Sequence, residues 1–386
     1  MDNRELIYLD NAATSFPKPR EVIEEMRKFM TYCGGNAGRG AHALSLEAAK
    51  KVFEVRTMLA ELFDADSPEQ VCFTLNTTYA LNTCIKGFLR KGDHVLISDM
   101  EHNAVFRPIY KLSQMGIIEY DVFPSMLGVP NRNPTRICAG IARRMKKNTR
   151  MVVCSGASNI CSLTMPISEI GAFCHRHGML FVVDGAQYAG HAKISVRKMN
   201  IDALCIPAHK GLLGPQGCGA FVLGSGVLAD TLIEGGNGVA SLEGDMPDYS
   251  PERYEAGTLP APAIVGLGEG IRALERVGID SIAEHERRLC SRAVEALGNI
   301  RGVTLHCPEY RGSVLLFNID KMRSDDASQE LSRIGVCVRG GYHCSALGHK
   351  TLGTLDGGGI RASFGPFNSS CDVDTLARAV QSIARG

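Results

Sequence analysis

Between residues 71 and 223 the sequence alternates short apolar segments with amphipathic ones, and this alternation limits the possible folds more than any other feature. The apolar segments have the length and the Val, Ile and Leu content of buried strands, whereas the segments between them have the spacing of helices. Strands that alternate with helices predict an α/β fold, in which a mostly parallel sheet is covered by helices on both faces. The predicted strands are 71–75, 94–98, 117–123, 151–154, 180–183, 203–206 and 220–223. The predicted helices between them include 78–89, 134–147 and 166–177.

The flanking regions predict further elements and a division into domains. Before residue 71 we predict a strand at 6–9, a helix with Val22, Met26, Phe29 and Met30 on one face, a glycine-rich loop at 34–42 and a helix at 45–63. After residue 251 we predict helices 262–277, 280–297, 327–334 and 373–384 and strands 303–306 and 313–319. The predicted parts are an N-terminal segment at 1–20, a large α/β domain at 21–255 and a small C-terminal α+β domain at 256–386.

Composition argues against several classes of partner. The chain of 386 residues has a net charge of +1, with acidic and basic residues interspersed, and it has no tryptophan. A nucleic-acid partner favours clustered basic residues and aromatic stacking platforms, so we expect none. No apolar run approaches the ~18 residues of a membrane span. The 14 cysteines include no CxxC pair, which is typical of reduced, mostly buried thiols in a cytoplasmic protein.

Two polar side chains follow apolar segments at the points where the predicted strands end. Lys210 lies in IDALCIPAHKGLLGPQGCG at 201–219, and Asp184 lies in MLFVVDGAQ at 179–187. A single lysine in a turn is usually an exposed surface residue. A lysine in a tight loop at a strand end can nevertheless lose enough solvation to act as a neutral amine and form a Schiff base. An amine and a carboxylate at neighbouring strand ends suit pyridoxal 5'-phosphate, which needs both groups.

The segment Asn76, Thr77 and Thr78 lies between a predicted strand and a predicted helix. Backbone N–H groups at a helix N-terminus, together with two hydroxyl groups, can bind a phosphate. The same residue types are common helix caps, so the segment alone leaves both interpretations open.

One cysteine differs from the other thirteen, for which the simplest interpretation is a small buried apolar side chain. Cys344 ends the loop VRGGYHC at 338–344, which contains two glycines, an arginine and a histidine. Positive neighbours favour the thiolate, which is the nucleophilic form of cysteine. Cys344 is therefore the candidate nucleophile.

Eight segments, in order along the chain, resemble motifs of the class V aminotransferase family and, within it, of the SufS-like cysteine desulfurases. They are LDNAATSFPKP, NTTYALN, EHNA, ASN, VDGAQ, AHK, EAGT and RGGYHCSALGHK. The resemblance implies the type I fold of pyridoxal-phosphate enzymes and a homodimer.

The resemblance also implies roles for individual residues. His102 would stack on the pyridine ring and take part in catalysis with Lys210 and Cys344. Asp184 would pair with the pyridine nitrogen, and Gln187 would donate a hydrogen bond to the ring oxygen. The residues implied at the cofactor phosphate are Thr77, Thr78 and His209, with Thr258 reaching across from the second subunit. The residues implied at the substrate are Asn159, Arg361, Arg39 and Arg339, of which Arg361 has the planar fork suited to a carboxylate.

Three positions depart from the family pattern. Pro207 stands where the family usually has a serine, two residues before His209, so one side-chain contact to the phosphate is missing. Gly340 occupies a variable position of the cysteine loop, and Tyr342 replaces the first histidine of the usual pair. His349 and Lys350 have no role that the resemblance supplies.

The resemblance implies a cysteine desulfurase, which converts L-cysteine to L-alanine and leaves a persulfide on Cys344 for a sulfur-acceptor protein. A selenocysteine lyase acting on L-selenocysteine is the alternative, followed by another pyridoxal-phosphate C–S lyase or an aminotransferase of the same family. A scaffold protein that has kept the fold is a further alternative. Such a protein would have no need of Lys210, Asp184 and His102 together.

Overall fold

The centre of the protein is a seven-stranded sheet, seen in a computed structural model that describes residues 6–38 and 40–385. Its strands are β2 (Val71–Thr74), β3 (His94–Ser98), β4 (Glu119–Phe123), β5 (Thr149–Ser155), β6 (Leu180–Asp184), β7 (Ala203–Pro207) and β8 (Gly219–Leu223). They lie in the order β2–β8–β7–β6–β5–β3–β4. β8 runs antiparallel to both of its neighbours, and the other pairs are parallel. The prediction of a mostly parallel sheet is confirmed.

Helices cover both faces of this sheet because its central strands are apolar on both faces. The helices of this part are α1 (Arg20–Lys28), α2 (Ala43–Leu62), α3 (Thr77–Phe88), α4 (Asn103–Gln114), α5 (Pro134–Ala142), α6 (Ile167–Arg176) and α7 (Ala261–Val277). Consecutive strand residues point to opposite faces, so Val95 belongs to one buried cluster with Leu81 of α3, while Leu96 belongs to another with Leu59 of α2.

A smaller antiparallel sheet forms the second part of the fold. It contains β9 (Val303–His306), β10 (Val314–Ile319) and β12 (Ile360–Ser363) in the order β12–β10–β9. The helices of this part are α8 (Ile279–Gly298), α9 (Ser324–Arg333), α10 (Ala346–Leu352) and α11 (Ser370–Arg385). Phe317 of the sheet and Val380 of α11 belong to one buried apolar cluster, as expected for an α+β layer.

The N-terminal segment connects the two parts. β1 (Ile7–Tyr8) pairs in parallel with β11 (Val336–Cys337), and Asp10 forms an isolated bridge with Ser363. A few residues later, the backbone N–H of Ser15 donates to the carbonyl oxygen of His209 at 3.0 Å. The segment therefore brings Asp10 to the small sheet and Ser15 to the lysine loop.

α7 packs against α1 and α2 and contributes Ile264 and Leu267 to the core of the large sheet. It lies after residue 256, where the sequence predicts the small domain to begin. The predicted division into three parts stays a prediction.

One predicted helix is longer than the observed one. α5 ends at Ala142, not at residue 147, because the chain turns before Thr149. The Thr149 hydroxyl oxygen accepts from the backbone N–H of Lys146 at 2.7 Å, and the Thr149 N–H donates back to the Lys146 carbonyl at 3.1 Å. In residues 6–38 and 40–385, no helix combines the length and the apolar content that a membrane span requires.

Candidate active site

Strand ends of the large sheet surround one cleft. Because β3, β5, β6 and β7 run in the same direction, their carboxyl ends share an edge, and the residues that follow them converge there. The lining residues that the sequence singled out are Thr77, Thr78, His102, Asn159, Asp184, Gln187, His209 and Lys210. The structure thus brings together most of the predicted site.

Lys210 lies in the loop after β7, and its backbone carbonyl accepts hydrogen bonds from Ser15 Oγ at 3.0 Å and from Leu213 N at 2.9 Å. Burial, helped by the positive charges of Arg361 and Arg339 and opposed by Asp184, lowers the pKa of its ammonium to about 8. A pKa near 8 leaves an appreciable fraction of neutral amine at neutral pH, which is the nucleophilic form.

Asp184 ends β6 and is 4% exposed. Burial raises the pKa of its carboxyl, against the opposing effects of the Ala186 N–H, which donates to Oδ1 at 2.9 Å, and of Lys210. A buried carboxylate with one backbone donor is stabilised by a cationic N–H partner in the cleft.

The N-terminus of α3 leaves donors free for an anion. Asn76 is the helix cap, since its side chain accepts from the Tyr79 N–H at 3.1 Å. Thr77 is therefore not needed as a cap, and its buried Oγ1 has no partner among the described residues; the same is true of Nδ1 of His209. A helix N-terminus with an unpartnered hydroxyl and an imidazole nitrogen fits a phosphate group.

His102 caps α4, and its Nδ1 accepts from the Ala104 N–H at 3.0 Å. Burial lowers the pKa of the imidazole to about 4, and the charges of Lys210 and Arg361 act in the same direction. The ring is therefore neutral near pH 7, with its proton on Nε2.

Arg361 lies on β12 and is 2% exposed. Its Nη2 forms an ion pair with Asp10 Oδ1 at 2.6 Å, and its Nη1 donates to the Asn159 carbonyl oxygen at 3.0 Å. Nε is buried without a partner among the described residues. The arginine is thus both a structural ion-pair residue and a candidate carboxylate ligand, because Nε remains free to donate.

The Asn159 side chain also has a partner within the protein, since Nδ2 donates to the His343 carbonyl oxygen at 2.7 Å. Gln187 uses Nε2 in the same way and donates to the Ala12 carbonyl oxygen at 2.7 Å. Each amide therefore reaches the cleft with only part of its hydrogen-bonding capacity free.

Cys344 is exposed, unlike most of the other cysteines. Its carbonyl oxygen accepts from the Asn103 N–H at 2.7 Å, which ties the cysteine loop to the residue beside His102. The neighbouring His343 is buried, and burial lowers its pKa to about 3. The expectation that this histidine supplies positive charge to the thiol is wrong, because the ring is neutral.

Two predicted residues lie outside the cleft of their own chain. Thr258 is exposed and lines a separate groove with Asn36 and Asn237, so it is not part of the cleft of its own chain. The Arg339 side chain is exposed, and only its backbone pairs with Arg361. Arg39 lies outside the described residues.

Two residues near the cleft were not singled out from the sequence, although both lie inside quoted motifs. Lys18 Nζ donates to the His209 carbonyl at 2.8 Å and to Ser15 Oγ at 2.7 Å, and burial lowers its pKa to about 8. Lys18 thus holds the loop that carries Lys210, a contact that the motif SFPKP alone does not indicate.

The second missed residue is Glu101, which is fully buried between the ends of β3 and β5. It accepts hydrogen bonds from Ser98 Oγ, from Ser155 N at 2.9 Å and from Ser155 Oγ at 2.8 Å. Burial raises the pKa of this carboxyl to about 7, against the hydrogen bonds that lower it. Glu101, which precedes His102 in the chain, therefore connects the end of β3 to the end of β5.

Comparison with known proteins identifies the family. The class-V aminotransferase profile matches residues 7–376. The chain belongs to the class-V aminotransferase family. It is 33% identical over 390 residues to a probable cysteine desulfurase of Methanothermobacter thermautotrophicus, covering 99% of this chain and 95% of that protein. It is 30% identical over 391 residues to a cysteine desulfurase of Escherichia coli O139:H28, covering 98% and 94%.

A solved structure of a cysteine desulfurase from Thermococcus onnurineus, in its apo form, has the same fold as this chain. The TM-score is 0.88 at 29% identity, and the alignment covers 99% of this chain and 95% of the other. The expected fold class, an α/β fold of the pyridoxal-phosphate type I kind with a smaller α+β part, agrees with this likeness.

The cofactor that the resemblance implies is pyridoxal 5'-phosphate, and the polar atoms of the cleft fit it. The unpartnered Thr77 Oγ1 and His209 Nδ1 match a phosphate, the desolvated Lys210 amine matches an aldehyde, and the buried Asp184 carboxylate matches a pyridinium nitrogen.

Proposed function

We propose that this member of the class-V aminotransferase family is a cysteine desulfurase, in which the sulfur of L-cysteine passes to Cys344 and L-alanine is released. The observation that carries the proposal is the position of Cys344. Its thiol is exposed, and its backbone carbonyl is hydrogen-bonded to Asn103, the residue after the His102 that lines the cleft. An aminotransferase or a simple C–S lyase has no need of a thiol at this position. The named relatives are cysteine desulfurases, which supports the same choice.

Pyridoxal 5'-phosphate, when bound, supplies an electron sink for cleavage of bonds at the carbon skeleton of the substrate. Thr77, Thr78 and His209 would hold its phosphate, Asp184 its pyridine nitrogen, and Lys210 its aldehyde carbon. Gln187 would use its remaining N–H for the ring oxygen, and His102 would present its ring to the cofactor.

The chain's own residues would act on the substrate as follows. Arg361 Nε and Asn159 would bind the α-carboxylate, a charge-assisted contact that also orients the amino acid. Lys210 Nζ, neutral in part near pH 7, would accept the α-proton. His102 is neutral and carries its proton on Nε2, so it would donate rather than accept a hydrogen bond there.

Sulfur transfer would then take place at Cys344. A bond forms between its Sγ and the substrate sulfur while the substrate Cβ–S bond breaks, and the electron pair of that bond remains on the carbon skeleton. Addition of protons to the skeleton gives L-alanine, and the persulfide on Cys344 passes to a sulfur-acceptor protein. A homodimer, in which Thr258 and the 34–42 loop complete the partner's cleft, and a cytoplasmic location belong to the same proposal.

The experiment that tests the proposal compares L-cysteine and L-selenocysteine side by side as substrates of the cofactor-loaded protein. Alanine is measured together with sulfide or selenide. A cysteine desulfurase produces alanine and sulfur from L-cysteine in equal amounts when a thiol reductant is present. Turnover confined to L-selenocysteine would contradict the proposal and favour a selenocysteine lyase. A scaffold would be favoured if the protein showed no borohydride-reducible visible absorption, either as purified or after cofactor was added.

A further inference from the structure

Below the cysteine loop, two buried histidines and a threonine form a chain of hydrogen bonds. Nε2 of His343 lies 3.0 Å from the Arg339 carbonyl oxygen, and its Nδ1 lies 3.2 Å from Nε2 of His349. Nδ1 of His349 lies 2.7 Å from Oγ1 of Thr354. The chain therefore runs from the backbone of one end of the loop to the C-terminal side of α10.

The donor and the acceptor in each of these hydrogen bonds follow from the contact between His343 and the Arg339 carbonyl oxygen. A carbonyl oxygen only accepts, so the proton of His343 is on Nε2 and its Nδ1 is an acceptor. Nε2 of His349 must then carry a proton and donate it to that Nδ1, which leaves Nδ1 of His349 to accept from the Thr354 hydroxyl. With both rings neutral, this is the one arrangement that satisfies all three contacts.

Burial keeps both rings in that neutral state. His343 is 8% exposed and His349 is fully buried. Desolvation lowers the pKa of His343 to about 3 and that of His349 to about 4, and the charge of Arg361 lowers the pKa of His343 in the same direction. A second proton on His343 would face the N–H of His349, so the contact would be lost.

Tyr342 closes this chain from the solvent side. Its ring meets His349 edge to face at a centroid distance of 5.6 Å, and its hydroxyl donates to the Leu355 carbonyl at 2.9 Å. Gly340, two residues before Tyr342, allows the loop to approach α9, because a Cβ there would lie 2.5 Å from the Ser324 carbonyl oxygen. Two of the residues that depart from the family pattern, Gly340 and Tyr342, thus lie around the histidine chain.

The backbone above the chain needs such support. His343 and Cys344 have φ angles of 51° and 56°, in the left-handed region that non-glycine residues disfavour. Consecutive residues of this kind persist only where their surroundings hold them. The holding contacts are the Asn159 side chain on the His343 carbonyl, the Asn103 N–H on the Cys344 carbonyl, and the buried His343 ring.

We propose that His349 is a positioning residue for Cys344, acting through His343 to hold the loop in the conformation that presents the thiol to the substrate sulfur. The proposal rests on the proposed function for its catalytic consequence, but the conformational consequence is independent of it. His349 does not touch the substrate; it supplies the single N–H donor that the His343 acceptor requires. Removal of that donor releases the ring and, with it, the left-handed backbone at residues 343 and 344.

The test uses two matched pairs of variants of the full-length protein. In His349→Gln the side-chain amide can still donate to His343, whereas His349→Leu fills similar space without a donor. In Thr354→Ser the hydroxyl donor to His349 is kept, whereas Thr354→Val removes it in the same shape. The threonine pair decides the question if His349→Leu fails to fold, which thermal unfolding would reveal.

Two readouts are measured on each variant. Hydrogen exchange of the Asn103 amide reports whether the Cys344 carbonyl stays in place, and it requires no turnover. We expect exchange about tenfold faster in the Leu and Val variants and unchanged in the Gln and Ser variants. We expect kcat for cysteine to fall about tenfold or more in the first two, with KM unchanged, because the thiol and not the carboxylate site is displaced.

Two results would overturn the proposal. One is wild-type exchange at Asn103 in both His349→Leu and Thr354→Val. The other is an equal effect of the Gln and Leu substitutions, since a purely space-filling role does not distinguish them. Failure of the wild-type protein to desulfurate cysteine would overturn the proposed function instead, and the exchange measurement would still decide the role of His349.

Discussion

The backbone N–H of Asn103 donates a 2.7 Å hydrogen bond to the carbonyl oxygen of Cys344. Asn103 is the first residue of α4 and directly follows His102, so this single bond ties the cysteine loop to the strand-end residue that lines the cofactor cleft. An N–H in the first turn of a helix has no acceptor within that helix. The helix terminus therefore has a free donor, and the cysteine loop uses it.

Replacing Asn103 with proline removes this donor and little else. Proline is favoured at the first helical position, and His102 already has the extended conformation, φ −69° and ψ 155°, that precedes proline. We expect α4 to persist and desulfuration of cysteine to fall about tenfold, as for a displaced reacting group. Steady-state kinetics and circular dichroism measure the two effects. Asn103→Ala, which keeps the N–H, is the control, and an equal loss in both variants would assign the effect to the side chain.

The ion pair between Asp10 and Arg361 should contribute to stability because the arginine is almost completely buried. Asp10→Asn leaves the guanidinium without its counter-charge, and we expect a loss of about 1–3 kcal/mol, less than for a fully buried pair because the Asp10 side chain is 20% exposed. Urea unfolding measures the loss. The control is Asp374→Asn, whose partner Arg292 is 51% exposed. The loss from that exposed pair should be smaller, because solvent and salt screen it, so equal losses would contradict the argument.

Glu101 predicts a pH dependence of stability. Its carboxyl pKa is raised to about 7 from a model-compound value of 4.5, so the folded state holds a proton that the unfolded state releases. The contribution is therefore favourable below the unfolded pKa and is lost as the pH rises from 4.5 through about 7. As the pH rises across that window, the free energy of unfolding of wild type should fall by ~3 kcal/mol relative to that of Glu101→Gln. A difference that stays constant with pH would show that Glu101 does not titrate there.

The sequence predicted the sheet and the strand-end residues because these follow from local pattern. The runs that became β3, β6 and β7 are largely apolar segments, and such segments are buried on both faces of a mostly parallel sheet. Asp184 is the last residue of β6 and Lys210 lies three residues after β7, so their convergence needed only the rule that parallel strands end at one edge.

Contacts between distant segments could not be predicted in this way. Asp10 and Arg361 lie 351 residues apart, and their pairing depends on β1 joining β11 and on the bridge to Ser363. The neutral state of His343 likewise depends on burial below its own loop, which its polar neighbours in VRGGYHC do not reveal. The polar loop predicted positive charge on the histidine beside the thiol, but burial keeps the His343 ring neutral.

Lys210→Ala should abolish turnover, because Lys210 is the buried lysine at the end of β7 whose pKa is lowered to about 8. After borohydride treatment, loaded wild-type protein should carry the cofactor covalently on Lys210, and the variant should carry no covalent cofactor, as peptide mass spectrometry would show. Lys18→Ala is the informative control, since the pKa of Lys18 is also lowered to about 8 but its amine is bonded to Ser15 and His209. A covalent cofactor adduct on Lys18 after borohydride treatment of the Lys210 variant would mean that the roles are assigned wrongly.

The most direct test of the account is the location of sulfur after treatment with L-cysteine. Intact-protein and peptide mass spectrometry of the cofactor-loaded wild type should show one added sulfur on Cys344 and none on the other cysteines, including the exposed Cys371. Cys344→Ser should lose desulfuration by orders of magnitude while it still binds cofactor and substrate, because the thiol acts only when the C–S bond breaks. Sulfur found mainly on another cysteine, or normal desulfuration by Cys344→Ser, would contradict the account.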